Sequence, residues 1–308
     1  MVVAPGNTLI GYIGLGNVGR HLSGNLIKAG YSVTVFDIDE EKVKHLVSQG
    51  ADFAASPEEI GRKADVIMMS LPHPKISEKV MLGSDGVLRG CSPGKMIIET
   101  STISPKIAKK LGDESSKKSV RFIDAALAGG IERAQNASLV FMIGGDESAV
   151  KDAWPIFEAL GKKIFYVGAG STGMTVKIIN NAISHVTMVA IAEAVSVGVK
   201  AGLDPNVIYD VLSAGSADSD ILRRRYKGRI LQGNYTNGMA VNHAYKDSEL
   251  ICEMARELGV PMFITNTAHA VYEWAKSSGY GSEDYAAIIK LWEEMLNLKI
   301  TGSESRIK

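Results

Sequence analysis

The sequence predicts an α/β fold in which a doubly wound parallel sheet is followed by an all-helical domain. Three observations carry this. Across residues 1–100, short apolar runs rich in β-branched residues alternate with segments of helical periodicity, the order that builds parallel sheets through helical crossovers. A glycine-rich turn directly follows the first run, at Gly14-Leu15-Gly16-Asn17-Val18-Gly19. Beyond a long apolar stretch at 172–201, only helical periodicity remains.

In order along the chain, strands are expected at Leu9–Ile13, Ser32–Phe36, Val66–Ser70, Met96–Glu99, Arg121–Ala125, Leu139–Ile143 and Lys163–Val167. A helix at Glu41–Gln49 is ended by Gly50. Ser56-Pro57-Glu58-Glu59 reads as an N-cap, a proline at the first helical position and acids in the first turn. The first domain therefore covers 1–167 and the second 168–308. The second opens with the stretch at 172–201, read as one buried helix closed by Gly202 and Pro205. Helices at Pro205–Ser213, Ile221–Gln232, Tyr245–Leu258, Phe263–Ser278 and Tyr285–Met295 follow, and Thr301–Lys308 is a short polar tail.

Composition narrows the class. An apolar share of 45% with 22% charged residues fits a globular chain with a full core. Lys+Arg and Asp+Glu balance at 34 each, so no basic excess points to nucleic acid or to an anionic membrane surface. The two cysteines, Cys91 and Cys252, have no metal-type spacing and predict reduced thiols in a cytoplasmic protein. The early start of the first strand predicts no signal peptide, and no apolar run is expected to be long enough to span a bilayer. The apolar helix and helical second domain together predict a homodimer or homotetramer.

Strand, glycine turn and helix form the context in which G-x-G-x-x-G signals dinucleotide binding in a Rossmann-type domain. Gly14 permits the tight turn, Gly16 lets backbone N–H groups approach the pyrophosphate, and Gly19 lets the helix lie close on the strand. The helix N-terminus attracts phosphate through its free N–H groups and dipole. The second strand ends in Asp37, whose carboxylate suits the ribose 2′-hydroxyl and repels a 2′-phosphate. NAD is therefore expected over NADP. Asp39 adds to the repulsion, although it and Glu40 read first as a solvated helix start.

Four further segments bear on chemistry. Leu71-Pro72-His73-Pro74 follows the third strand, on the side where open α/β sheets bind ligands. It either flanks the cofactor or is a proline-stiffened turn, with His73 exposed. In Glu99-Thr100-Ser101-Thr102-Ile103-Ser104-Pro105 the hydroxyls suit a nicotinamide amide or ribose, or helix capping; Ser104 is assigned the cap, which leaves Thr102 for a ligand. Asp124-Ala125-Ala126-Leu127-Ala128-Gly129-Gly130 ends in adjacent glycines, which either present N–H groups to a carboxylate or form a flexible turn. Gly170–Asn181 places Lys177 and Asn181 four apart, on one face of an apolar helix. Burying a lysine is costly unless it is paired or functional, and burial would lower its pKa as a general base requires; the alternative is a solvated face. No His/Cys/Asp cluster has metal-ligand spacing. Arg223-Arg224-Arg225 is read as solvated or at a subunit interface rather than anion-binding.

Over roughly residues 8–298, these motifs in this order resemble the β-hydroxyacid dehydrogenase family, which includes the 3-hydroxyisobutyrate dehydrogenases. The matching segments are Gly11–Gly30, Leu71-Pro72, Ser101-Thr102, Gly170–Asn181 and Lys246-Asp247. The resemblance implies interconversion of a small β-hydroxy acid and its semialdehyde or oxo form. It makes Lys177 the general acid/base and Asn181 a substrate hydrogen-bonding residue. It places Thr102 and Lys246 at the nicotinamide half, and Ala128, Gly129, Gly130 and Thr102 at the substrate. Glycines 14, 16 and 19 with Leu15, Asn17, Val18, Asp37, Leu71 and Pro72 would hold the cofactor; no metal is implied.

The chain also departs from the family pattern. The usual Asp-Ala-Pro-Val-Ser-Gly-Gly loop has Ala126 and Ala128 in place of Pro and Ser, so a hydroxyl toward the substrate carboxylate is missing. Two usual glycines are Arg133 and Ala137, the usual Thr is Ser138, a usual aromatic is Met239, and His243 stands where Leu is common. Alternatives are a tartronate or succinic semialdehyde reductase, a 2-hydroxymethylglutarate-type dehydrogenase, an imine reductase, or a non-catalytic cofactor-bound scaffold.

Overall fold

The computed structural model describes residues 3–236 and 238–302. Backbone packing divides the chain between Lys177 and Ile178 into two compact units.

The first unit is built on one eight-stranded sheet. Its elements are β1 (Leu9–Ile13), α1 (Gly19–Lys28), β2 (Ser32–Phe36), α2 (Glu40–Val47), β3 (Asp52–Phe53), α3 (Pro57–Lys63), β4 (Val66–Met69), α4 (Pro74–Leu82), α5 (Val87–Gly90), β5 (Met96–Glu99), α6 (Pro105–Ser116), β6 (Arg121–Ala128), α7 (Gly130–Gln135), β7 (Leu139–Gly145), α8 (Glu147–Leu160), β8 (Gly161–Gly168) and the start of α9 (Thr172–Lys200). The strand order is β3-β2-β1-β4-β5-β6-β7-β8. Alternate residues of the central strands feed two different cores. Ile10, Tyr12, Val66, Met68, Met96, Ile98, Ile123 and Ala125 pack into one, and Ile13, Ile67, Met69, Ile97 and Ala126 into the other. A period of two with both faces apolar is what a sheet covered by helices on both sides demands.

One expectation is corrected. The sheet is not parallel throughout, because β6 and β7 pair antiparallel while β7 and β8 return to parallel. Only residues 129–138 join β6 to β7, and a parallel return needs a crossover of about a dozen residues or more. The two-residue edge strand β3 also went unread. The caps match their sequence signals: Ser56 Oγ accepts from Glu59 N at 3.1 Å and Ser104 Oγ from Ile107 N at 3.2 Å.

The second unit is helical. It contains most of α9, then α10 (Pro205–Ala214), a π-helical segment at Leu222–Ile230, α11 (Val241–Leu258), α12 (Phe263–Ala275) and α13 (Ile289–Leu296). Met188, Ala192 and Val195 of α9 share a core with Tyr226, Tyr272 and Tyr285. At 29 residues, α9 is long and apolar enough to cross a membrane by length and composition, which corrects the expectation that no run reaches that length. A helix packed into a folded core has the same composition, and Ile178, Met188, Ala192 and Val195 are fully buried, but Ile179, Ile183 and Val197 are exposed, so α9 buries one face rather than being buried all round.

The arginine triplet resolves into two different environments. Arg223 and Arg224 pair on the surface with Asp218 and Asp220. Arg225 is half-buried in the helical unit, 3.0 Å from Asp284 and with its guanidinium 4.6 Å from the centre of the Tyr285 ring. Its ion pair and partial burial replace the solvated reading for this residue.

Candidate active site

The glycine turn is shaped by its own contacts. Gly14 has φ +90°, and a Cβ there would lie 2.4 Å from Ser70 O. A Cβ on Gly19 would lie 1.9 Å from Gly14 O, so glycine is what lets α1 start this close to β1. Gly16 differs: a Cβ there would meet no protein atom within 4 Å. Nothing in the protein's own packing asks for glycine at that position. The α1 N-terminus has no side-chain cap at Val18, which leaves its dipole available to an anion.

Asp37 is tied to this turn. Its Oδ2 accepts from Leu15 N at 2.6 Å and its Oδ1 from Asp39 N at 2.9 Å. Asp39 in turn caps α2 through Glu41 N, and the Lys42 ammonium 3.0 Å away holds its carboxyl below the usual range. The loops after β4 and β5 join the same group. Leu71 Cδ2 lies 3.0 Å from where a Gly14 Cβ would be, and Leu71 N donates to Ser101 Oγ at 2.7 Å. Buried Glu99 accepts from Ser101 N at 2.8 Å, which fixes the approach to half-buried Thr102. Beneath them Tyr12, Ser70 and Thr100 form a hydroxyl chain with steps of 2.6 Å, ending on Met69 O. Asp37, Leu15, Gly14, Leu71, Ser101 and Thr102 are thus contiguous at one end of the sheet. Pro72 and His73 are exposed, and His73 caps α4 through Nδ1.

The loop after β6 is more open. Gly129, at φ +134°, is the N-cap of α7, and Gly130 follows at φ +72°. Ala128 is half-buried and offers no polar side-chain atom. The stem of Arg133 folds back over Gly129, its Cδ 2.6 Å from an added Cβ. Arg133 is exposed, and no ion pair engages its guanidinium among the described residues. Ala137 adopts φ +49°, a left-handed conformation that favours glycine.

α9 carries the remaining candidates. Lys177 is half-buried. Asn181, one turn on, is 5% exposed and held at both ends: its Nδ2 donates to Asp247 Oδ2 at 2.7 Å and its Oδ1 accepts from Asn180 at 3.2 Å. The other oxygen of Asp247 lies 3.2 Å from Lys246 Nζ. One buried carboxylate therefore orients Asn181 by a hydrogen bond and forms an ion pair with Lys246.

Sequence reasoning named Lys246 but gave Asp247 no role, and it passed over Glu99 and the hydroxyl chain. Their signal was a charge or hydroxyl at the end of an apolar run. It also missed Ile38, an apolar side chain 94% exposed directly after Asp37.

Residues 9–168 match the model of the NAD-binding domain of 6-phosphogluconate dehydrogenase. Residues 170–292 match the model described as the NAD-binding region of NADP-dependent 3-hydroxyisobutyrate dehydrogenase. The chain is 34% identical over 295 residues to 2-(hydroxymethyl)glutarate dehydrogenase of Eubacterium barkeri, covering 96% of this chain and 98% of that one. The chain belongs to the β-hydroxyacid dehydrogenase family. It is also 32% identical to the mitochondrial 3-hydroxyisobutyrate dehydrogenase of Mus musculus, covering 93% of this chain and 88% of the other. Among solved structures it is similar to the Mycobacterium tuberculosis 3-hydroxyisobutyrate dehydrogenase with L-serine. There the TM-score is 0.83 and the identity 27%, with 92% of this chain and 98% of that one covered. Members of the family are nicotinamide-dependent oxidoreductases of hydroxy acids, and both family models describe NAD-binding regions.

Proposed function

We propose that this β-hydroxyacid dehydrogenase uses NAD to oxidise a small β-hydroxy acid, with Lys177 as the group that takes the substrate's hydroxyl proton. The observation that carries the reading is the pairing on α9: Lys177 is half-buried, and the Asn181 amide one turn on is oriented by buried Asp247. A nicotinamide dinucleotide, when bound, supplies the two-electron acceptor for the carbinol C–H bond. Gly14, Gly16, Gly19 and the uncapped start of α1 would hold its phosphates, and Asp37 its ribose. Exposed Ile38 offers apolar surface to the adenine ring. Asp37 favours NAD, because a carboxylate accepts from a 2′-hydroxyl and repels a 2′-phosphate. The Lys177 amine accepts the hydroxyl proton as the C–O bond gains double-bond character. In the reverse direction the ammonium returns that proton to the carbonyl oxygen. Asn181 retains one N–H and one oxygen lone pair for substrate, since its other positions are engaged.

A specific observation favours a second reading of the substrate. Ala128 removes a hydroxyl, while Arg133 places an exposed cation beside Gly129. A second carboxylate on the substrate would answer that cation, in keeping with the likeness to a 2-(hydroxymethyl)glutarate dehydrogenase. The test is absorbance at the reduced-nicotinamide band with NAD and NADP against 3-hydroxyisobutyrate, glycerate, serine, threonate and 2-hydroxymethylglutarate. Turnover with one of these and NAD is expected. Preference for NADP contradicts the Asp37 reading, and silence with every acid and every matching semialdehyde contradicts the reaction.

A further inference from the structure

The first turn of α9 is seated on the sheet by one buried carboxylate. Asp124 lies in β6, 1% exposed, in register with Glu99 of β5 and Gly144 of β7. Its Oδ2 accepts from Met174 N at 2.7 Å, and Gly173 N–H also bonds to it. The fit leaves no slack. A Cβ on Gly173 would lie 2.5 Å from Met142 O and 2.7 Å from Asp124 O. A Cβ on Gly144 would lie 2.4 Å from both Asp124 Oδ1 and Gly170 O. Met174, fully buried, stands three residues before Lys177, the spacing of neighbours on one helix face.

Nothing in the proton transfer or in cofactor binding uses Asp124. Its cost is plain, since burying a carboxylate is unfavourable unless its hydrogen bonds repay the lost solvation. A neutral acceptor at that point would satisfy the same N–H groups without that cost. What the anion adds is charge at a helix N-terminus, where the dipole holds it most firmly.

We propose that Asp124 is a positioning residue for the proton-transfer step: it locks the first turn of α9 to β6 and so fixes where Lys177 stands. The inference rests on the reading of Lys177 as the acid/base.

A pH dependence follows. Burial, opposed by the Met174 and Gly173 N–H bonds and reinforced by neighbouring Glu99, pushes the Asp124 carboxyl up to about 7. A cavity of about 430 Å³ that Asp124 lines connects it to Lys109, Asp113, Arg121 and Asp146; β7 and α9 present backbone to it. Below that pH the carboxyl is protonated and its grip on the helix dipole weakens, so kcat falls on the acid side. The sign for stability is opposite. A carboxyl whose folded pKa is raised above the unfolded value favours the folded state at low pH, and that contribution is lost as pH rises toward 7. The anion therefore helps positioning at a cost in stability.

The experiment measures kcat and KM from pH 5.5 to 9, with melting temperature at pH 8, for wild type, Asp124→Asn, Asp124→Glu, Lys177→Ala and the Asp124→Asn/Lys177→Ala pair. Asp124→Asn is expected to lower kcat about tenfold or more, to leave KM within about twofold and to remove from the acid limb the step near pH 7 that Asp124 sets, leaving only the loss due to protonation of the Lys177 amine, without a lower melting temperature. Asp124→Glu keeps the charge in the wrong place, so it lowers kcat and retains that step. In the Lys177→Ala background Asp124→Asn should cost nothing further, because the two act as a unit. An unchanged kcat and pH profile in Asp124→Asn overturns the proposal. So does a loss of kcat that tracks a lower melting temperature with that step intact. Full activity in Lys177→Ala overturns the acid/base reading instead.

Discussion

The turn at 14–19 and the connection at 129–138 both follow strands of the same sheet, yet different forces hold their residues. In the glycine turn the protein's own packing does most of the selecting. Gly14 and Gly19 sit where a Cβ would strike backbone oxygen, and Asp37 is bonded into the turn through Leu15 N. In the second loop little is enforced. Arg133 extends into solvent over Gly129, and Ala137 takes a left-handed conformation that glycine would adopt more cheaply. In the proposed function the constrained turn is the cofactor side, where the family pattern is kept, and the open loop is the substrate side, where Ala126, Ala128, Arg133 and Ala137 depart from it.

The strongest way to break the comparison is Gly19→Ala, which drives a methyl into Gly14 O. We expect nucleotide affinity to fall by about 100-fold or more, with destabilisation on the order of 1–3 kcal/mol, the usual range for overpacking; fluorescence titration and urea unfolding measure both. An unperturbed variant would mean that the turn is not held by its own contacts. Gly16→Ala separates ligand from packing. It should change stability by less than about 0.5 kcal/mol yet weaken nucleotide binding, since its methyl enters space that the protein leaves open.

Asp37→Ala should lower the preference for NAD over NADP by about 10- to 100-fold, the worth of hydrogen bonds to a charged group. Steady-state ratios of kcat/KM for the two nucleotides decide it. In the open loop, Arg133→Ala should raise KM for a dicarboxylic substrate about tenfold, equivalent to about 1.4 kcal/mol, while leaving monocarboxylic acids and melting temperature unchanged. Equal effects on both acids would remove Arg133 from substrate selection. The smallest effect, and the sharpest on conformation, is Ala137→Gly. Relief of a left-handed alanine should stabilise the protein by about 1 kcal/mol, read as a higher urea midpoint at unchanged slope.

The same contrast explains what could be read from residues alone. Strands, caps and the glycine turn depend on neighbours within a few positions, so period and turn chemistry disclose them. Ser56 and Ser104 cap where their spacing says they should. The reversal at β7 was missed because it depends on how short the connection at 129–138 is, not on the apolar pattern of the strand. Asp124 and Asp247 stand out as charges in apolar surroundings, but their partners lie 50 and 66 residues away, and only the fold brings them together. Arg225 looked like its two neighbours in sequence, and its buried partner Asp284 belongs to a distant loop. The substrate stayed illegible for a different reason: Ala128 departs from the family pattern without naming a group that would take the place of the usual hydroxyl.

The most direct test of the account is proton transfer by Lys177, measured as reduced-nicotinamide absorbance for wild type and Lys177→Ala on the best acid, with nucleotide affinity followed in parallel. The account predicts a loss in kcat of about 10²- to 10⁴-fold, the range for a positioned acid/base, with nucleotide affinity within about twofold of wild type. Turnover at the wild-type rate in Lys177→Ala would contradict it.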